Sequence, residues 1–206
     1  MDNINVIIPR GLENCALPSP ELLDYYGGLE RREIWIDDDV TEYTLDIARK
    51  IMDWNREDKD IEPAERKPIK IFFFSNGGDL DVNNTIIDTI KLSLTPVWGI
   101  NMGRCMSAAA FIYLSCHERL MLSRSYFLFH QGSGAFNGTF AEVCAQMEDY
   151  QTQIEELTNF MLEHTKYSEE ELTSKIVGEW FVRKDEALAN GVCDRVINSL
   201  DELWEK

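Results

Sequence analysis

Two residues of this sequence have the side chains of a nucleophile and its base. Ser107 is the one hydroxyl in NMGRCMSAAAF (101–111), which follows an apolar segment and is predicted to start as a turn and continue as a helix. His130 closes the apolar segment YFLFH. A serine hydroxyl becomes a nucleophile when a histidine removes its proton and backbone N–H groups at a helix start hold the developing oxyanion. The pair therefore raises the hypothesis of acyl transfer at a serine.

Each of these residues also has a purely structural interpretation. A serine among alanines near a helix start commonly packs tightly or caps the helix. A lone histidine at a strand end is commonly structural, although sites in α/β sheets gather at the carboxyl ends of strands. The glycine pair of SNGG (75–78) offers more free backbone N–H groups, but such turns are common. The two other histidines, His117 and His164, are most simply interpreted as facing solvent.

Alternating strands and helices are predicted to position these side chains. The candidate strands lie within 32–40, 69–74, 95–100 and 126–130. Short β-branched and aromatic runs of this kind are typical of buried parallel strands. Apolar residues at helical spacing predict two intervening helices: Tyr43, Ile47, Ile51 and Trp54 in the first, and Val82, Ile86, Ile90 and Leu94 in the second. The charged segment 56–68 is predicted to be a solvated loop. The fold class is therefore α/β with right-handed crossovers.

A long helix is predicted over about 139–164. It is longer than a compact domain of this size needs, so we expect it to project and pack on another subunit. YSEEEL (167–172) has the capping-box pattern of a helix start, with Ser168 and Glu171 three residues apart. A last short helix stopped by Gly191 and a closing strand VCDRVI (192–197) follow.

Composition limits the function classes. The chain has 206 residues, and its 37 acidic against 20 basic residues give a net charge of −17, which opposes binding to nucleic acid. Five cysteines without metal-ligand spacing suggest reduced thiols. No segment has the pattern of a signal peptide or approaches the roughly 20 apolar residues of a membrane span. We expect a cytoplasmic protein with an irregular N-terminal arm, 1–24, and one domain, 25–206.

The order of these motifs resembles the proteolytic subunit of the Clp protease (ClpP) family over about residues 22–198. The Gly-Gly turn, the serine, the histidine, the long helix and the closing elements follow one another at the separations that the family shows. No single motif is decisive, but five in order are specific. The matching segments are SNGG, GRCMSAAAF, FLFHQGSGAFNG, HTKYSEEEL and EALANGVCDRVI.

The resemblance implies a ClpP/crotonase-like fold of repeated βα units, with the long helix as a projecting handle that joins two stacked, heptameric rings. It implies a serine endopeptidase in which Ser107 is the nucleophile, His130 the general base and Glu179 the third member. The oxyanion hole would be formed by the backbone N–H groups of Gly78 and Ala108.

The resemblance also assigns the binding of substrate and partners. Extended peptide would be bound by strand addition on GSGAFNG (132–138), and the substrate-binding residues would be Gly77, Gln131, Gly134 and Phe136. An unfolded protein substrate would be fed into the homo-oligomeric chamber by an AAA+ unfoldase ring. No metal or organic cofactor is implied.

Several positions depart from the family pattern. Glu179 stands where the family has an aspartate, so it is either a working substitute or a sign of weakened activity. Asn76 and Gly132 replace prolines in the two loops beside the site. Lys70 and Phe72 occupy a strand where the family places aromatic docking residues, so recognition by the usual unfoldase is in question.

Two other functions remain open at the level of sequence. The first is a catalytically weak or inactive subunit that has a structural role in a mixed ring. The second is a crotonase-type acyl-CoA enzyme with the same oxyanion-hole architecture, which would give no reason for a serine–histidine pair.

Overall fold

The computed structural model describes residues 19–204, and the chain divides into two compact units, Met1–Arg31 and Arg32–Lys206. In the first unit, helix α1 (Pro20–Glu30) begins at a proline in its first turn, and the Ser19 hydroxyl accepts a hydrogen bond from the Leu22 N–H. These are standard helix-start signals. The irregular structure predicted up to residue 24 is therefore wrong from Pro20 onward, and the rest of the predicted arm lies outside the described residues.

The second unit is built on one sheet of seven strands. Its strands are β1 (Glu33–Ile36), β2 (Ile69–Ser75), β3 (Val97–Met106), β4 (Glu118–Leu122), β5 (Tyr126–Phe129), β6 (Trp180–Arg183) and β7 (Arg195–Ile197). The order is β1-β2-β3-β4-β7, and β5 pairs with both β3 and β6. Every pair is parallel except β5 with β6. The predicted α/β fold is confirmed.

Within residues 32–204, six helices accompany the sheet. They are α2 (Asp46–Glu57), α3 (Leu80–Leu92), α4 (Ala108–Leu114), α5 (Phe140–His164), α6 (Glu169–Lys175) and α7 (Lys184–Ala189). Short 3₁₀ turns cover Glu42–Leu45, Pro63–Glu65 and Leu200–Leu203. Capping boxes at Thr139 and Ser168 start α5 and α6, as the sequence predicts for the latter. Helix α5 confirms the predicted long helix, and its buried residues, Leu157, Phe160 and Met161, lie in its last part.

The sheet is buried on both faces. All seven residues of α4 are buried, and on β2 Ile69, Ile71 and Phe73 are fully buried. The opposite face carries Phe72 in an apolar cluster, whose other buried members are Ile100, Leu120, Ile197 and Leu203. This is why the strand IKIFFF lacks the alternation of a half-exposed strand.

Strands β3, β4 and β6 differ from the prediction, and β6 (Trp180–Arg183) has no predicted counterpart. Strand β3 continues to Met106 through the polar segment predicted as a turn. It can do so because Asn101 is satisfied, donating to the Tyr126 carbonyl at 2.9 Å and accepting from the Gly103 N–H at 3.0 Å. Strand β4 was missed because it begins with two charged residues, but Glu118 pairs with Arg195 and Arg119 with Asp194. Long-range partners therefore stabilise both strands.

Two residues of the predicted helix faces are not in the core. Tyr43 lies in a 3₁₀ turn and is 91% exposed, and Leu94 lies beyond the end of α3 and is 72% exposed. Their helical spacing continued past the true helix ends, which periodicity locates poorly. The other predicted core residues of α2 and α3 are buried.

The charged segment 56–68 is not wholly solvated. Asp58 is fully buried, and its carboxylate accepts from the Arg32 guanidinium at 2.6 and 2.8 Å and from the Thr95 hydroxyl at 2.8 Å. These bonds hold the pKa of Asp58 below its usual value, with the Arg32 hydrogen bond as the main cause. Arg66 is also buried and donates to the Ile61 carbonyl. The segment therefore ties β1 to the start of β3.

We predict that Asp58→Asn destabilises the fold by about 3 kcal/mol, because it leaves the Arg32 charge without its buried partner. Asp53→Asn is the matched control, since its 2.7 Å ion pair with Arg56 is exposed and should contribute under about 0.5 kcal/mol. Thermal and denaturant unfolding would measure both. Because the folded-state pKa is lowered, the advantage of Asp58 should be full above about pH 4 and be lost as the pH falls further. Equal effects of the two substitutions would contradict this.

Candidate functional site

Ser107 lies in the sharp connection between β3 and α4 and has an unusual backbone conformation. Its φ of 50° and ψ of −129° are rare for a residue with a side chain. Such strain costs about 1–3 kcal/mol and persists only where the surroundings hold it. Here the Ser107 N–H donates to the Leu128 carbonyl at 2.8 Å, and the Ser107 carbonyl accepts from the Ala110 N–H at 2.9 Å. The hydroxyl makes no helix-capping bond, so the N-cap interpretation is wrong.

His130 stands directly beside Ser107. The parallel pairing of β3 with β5 sets Met106 opposite Leu128, so both residues follow the carboxyl ends of adjacent strands. The His130 Nε2 and the Ser107 Oγ are 2.8 Å apart, a hydrogen bond between half-buried side chains. This is the contact that a histidine needs to remove a serine proton.

The Gly-Gly turn after β2 packs against the serine. A Cβ on Gly77 would lie 2.6 Å from the Met106 carbonyl oxygen and 2.7 Å from the Ser107 Cβ, and its φ is +96°. The Val40 N–H donates to the Gly77 carbonyl and the Asp79 N–H to the Val40 carbonyl, at 2.8 and 2.9 Å. Only glycine therefore fits at position 77.

Two backbone N–H groups near Ser107 make no hydrogen bond among the described residues, one in this turn and one at the start of α4. In the parallel bridge between Val40 and Gly78, the flanking residues of Gly78 make the bonds, so the Gly78 N–H is directed away from Val40. The N–H of Ala108 is the first of α4, which no intrahelical carbonyl can reach. Within residues 19–204, no hydrogen bond uses either group. Their free state suits an oxyanion hole.

Glu179 is not engaged with the histidine. It is exposed and lies immediately before β6, whose Trp180 pairs with Phe129. The antiparallel register therefore brings Glu179 alongside His130 in the chain path, but among the described residues no hydrogen bond joins their side chains. The role predicted for Glu179 thus stays a prediction.

A cavity of about 290 Å³ opens beside the serine and histidine. Gly77, Gly78 and Gln131 line it as predicted, whereas Gly134 and Phe136 do not. Four further lining residues, which are Asp39, Leu80, Phe111 and Tyr150, were not predicted, and Ser133 lies in the segment predicted to bind peptide. Ile154 and Leu157, two apolar residues of the long helix, also line it. Their spacing of three on an apolar helix face was the one signal that could have placed them.

The remaining histidines have structural contacts. His117 is exposed but its Nδ1 accepts from the Val97 N–H at 3.0 Å, and burial is the main cause that lowers its pKa. His164 is half-buried, its Nδ1 lies 2.8 Å from the Phe160 carbonyl, and its ring stacks on Phe160. In the described chain, no helix is long and apolar enough to cross a membrane.

Comparison with solved structures identifies a known fold. The structure resembles that of a ClpP1 mutant from Listeria monocytogenes with a TM-score of 0.73, at 22% sequence identity over 86% of this chain and 98% of the other. This likeness confirms the mixed α/β fold with its parallel sheet.

Sequence comparisons identify the family. The family model of the Clp protease matches residues 22–200. The ATP-dependent Clp protease proteolytic subunit 3 of Rhizobium meliloti is 29% identical over 142 residues, 68% of this chain and 73% of the relative. Proteolytic subunit 2 of Chlamydia trachomatis serovar D is 31% identical over 142 residues, 68% of this chain and 70% of the relative. The chain belongs to the Clp protease family, as the sequence motifs predict.

We predict that Gly77→Ala lowers the reactivity of Ser107 by about 10²-fold or more, because the new methyl group must displace the Ser107 backbone and the neighbouring N–H groups. Gly178→Ala is the control, since a Cβ there meets nothing within 4 Å. The rate of labelling by a fluorophosphonate, compared at equal folded fraction, would measure the effect. Similar rates in the two variants would contradict the close packing of Gly77 on Ser107.

Proposed function

We propose that this protein is a serine endopeptidase subunit of the ClpP type. The observation that carries the proposal is the 2.8 Å hydrogen bond between Ser107 Oγ and His130 Nε2. The Ser107 oxygen attacks the peptide carbonyl while His130 takes the hydroxyl proton. The same proton then passes to the leaving amine, which departs as the C–N bond breaks. Water, deprotonated by His130, hydrolyses the acyl-enzyme and restores the serine.

The oxyanion formed in this reaction is assigned to the N–H groups of Gly78 and Ala108. Both belong to turns that are fixed before substrate arrives, one by the Val40 bridge and the other by the start of α4. Donors held in advance need no reorganisation when charge develops on the carbonyl oxygen. These two N–H groups therefore supply the stabilisation of the oxyanion, which the serine and histidine side chains do not provide.

The segment after His130 supports binding of an extended peptide. Residues 132–137 form no helix or strand, and no hydrogen bond among the described residues uses their backbone N–H groups. Free backbone groups in an exposed segment can pair with a substrate strand, which recognises main chain rather than sequence. The substrates we infer are therefore unfolded protein chains.

An oligomeric chamber agrees with the exposed side of α5. Phe140 is 86% exposed and Met147 55% exposed, so this helix presents apolar side chains that its own chain does not cover. We infer stacked homo-oligomeric rings, heptameric as in the family resemblance, served in the cytoplasm by an AAA+ unfoldase. Lys70 and Phe72 are both buried, the former over the Trp204 ring, so docking on their strand differs from the aromatic pattern that the family shows.

A second candidate is a catalytically weak subunit with a structural role in a mixed ring. The observation that favours it is the unengaged Glu179, because a catalytic histidine is ordinarily oriented by a third group. The two candidates differ in whether Ser107 reacts.

We predict that a fluorophosphonate labels Ser107 and that Ser107→Ala abolishes the labelling, while His130→Ala slows it by at least about 10³-fold. Peptide mapping of the adduct by mass spectrometry would locate it. Ser123→Ala, which removes an exposed hydroxyl away from the cavity, should label as the parent does. A folded, ring-forming protein without any adduct would favour the structural subunit instead.

We also predict that Glu179→Gln lowers kcat for a fluorogenic peptide by at least about tenfold, because the neutral amide cannot stabilise the imidazolium. Glu179→Asp should retain more activity, since it keeps the charge. The oligomeric state of each variant, measured by light scattering, separates this effect from loss of assembly. Unchanged kcat in both variants would remove Glu179 from the mechanism.

A further inference from the structure

Tyr150 of the long helix α5 contacts the segment that follows His130. Its hydroxyl donates to the Gln131 carbonyl at 3.2 Å, and its ring lies edge-to-face on Phe136, with 5.6 Å between ring centroids. Burial raises the pKa of the Tyr150 phenol, so the hydroxyl is a protonated donor at neutral pH. One side chain therefore meets both ends of the segment 131–136.

Gly132 makes the closest approach to this tyrosine. A Cβ at Gly132 would lie 2.6 Å from the Tyr150 hydroxyl oxygen, and the next atoms are 3.8 Å away. The φ of Gly132 is +86°, a conformation that glycine adopts without strain. The replacement of a proline by glycine, which the sequence analysis identified at this position, thus gives the hydroxyl room beside the backbone.

Few other contacts hold this segment. The Gln131 N–H donates to the Ile176 carbonyl at 3.0 Å, but among the described residues no backbone hydrogen bond involves residues 132–136. The segment is largely exposed, so little apolar burial orders it. Without Tyr150 the segment would lose both the hydrogen bond to the Gln131 carbonyl and the ring contact at Phe136.

We propose that Tyr150 is a positioning residue that holds residues 131–136 on the long helix in the extended path that pairs with a peptide substrate. The proposal rests on the proposed function, because it concerns the binding of the same substrate. Ser107 and His130 follow β3 and β5, and in the described chain no hydrogen bond or ring contact joins Tyr150 to either side chain. Loss of Tyr150 should therefore weaken binding of extended peptides and spare the reactivity of the serine.

The test is Tyr150→Phe, which keeps the ring against Phe136 and removes the hydroxyl bond to Gln131. Tyr43→Phe is the matched control, since Tyr43 is 91% exposed. We expect KM for an extended fluorogenic peptide to rise about fivefold, the effect of losing one hydrogen bond. The kcat and the rate of fluorophosphonate labelling should be unchanged, because a small probe does not need strand pairing. An unchanged KM, or an equal fall in labelling, would overturn the proposal.

Hydrogen exchange gives a readout that does not depend on catalysis. The amide of Gln131, which is hydrogen-bonded to the Ile176 carbonyl, should exchange faster in Tyr150→Phe than in the parent or in Tyr43→Phe. If the parent does not label at Ser107, the proposed function fails, while this exchange measurement still tests the hold of Tyr150 on the segment. Unaltered exchange in a protein that does label would reject the positioning role alone.

A double substitution tests the contact itself. Gly132→Ala should raise KM because its methyl group meets the Tyr150 hydroxyl and its φ is unfavourable. In the Tyr150→Phe background the nearest atoms are 3.8 Å away, so only the backbone strain remains and the added rise in KM should be smaller. Strictly multiplicative effects on KM would show that the two residues do not interact and would overturn the proposal.

Discussion

The site depends on the parallel pairing of β3 with β5. This pairing sets Met106 opposite Leu128, and one further bond, from the Ser107 N–H to the Leu128 carbonyl, holds the serine in its strained conformation. His130 follows the end of β5 just as Ser107 follows the end of β3. The 2.8 Å contact between His130 Nε2 and Ser107 Oγ is therefore a consequence of the register. A shift by one residue would reverse every side chain of the strand and separate the pair.

Much of the fold could be predicted from the sequence, because its strands and helices have strong local signals. The runs IKIFFF and YFLFH are β-branched or aromatic, and the capping box at Ser168 marks a helix start. Strand β4 and the second half of β3 lack such signals. Their polar residues are compatible with a strand only because Glu118 meets Arg195 and Asn101 meets the Tyr126 carbonyl. Partners far apart in sequence leave no periodic pattern.

The same distinction applies to the site. Ser107, His130 and the glycine turn lie at the ends of predicted strands, where topology alone brings them together. Tyr150 could not be predicted, because its contacts join the long helix to a loop without secondary structure. Glycine at position 132 is the only trace in the sequence, and its meaning needs the distance to the tyrosine hydroxyl. Periodic sequence patterns do not predict contacts between elements that are irregular or weakly packed.

The placement of His130 depends little on a hydrogen bond from Glu179, because neighbouring contacts fix the His130 backbone on both sides. Before it, Phe129 is fully buried and contacts the rings of Phe111 and Trp180. After it, the Gln131 N–H donates to the Ile176 carbonyl at 3.0 Å. The position of the His130 backbone relative to Ser107 therefore does not need a carboxylate. What a third group must still supply is the ring tautomer and the stabilisation of the imidazolium. Glu179 immediately precedes β6, which is already paired with β5, so the proposed function requires only its side chain to move toward the His130 ring.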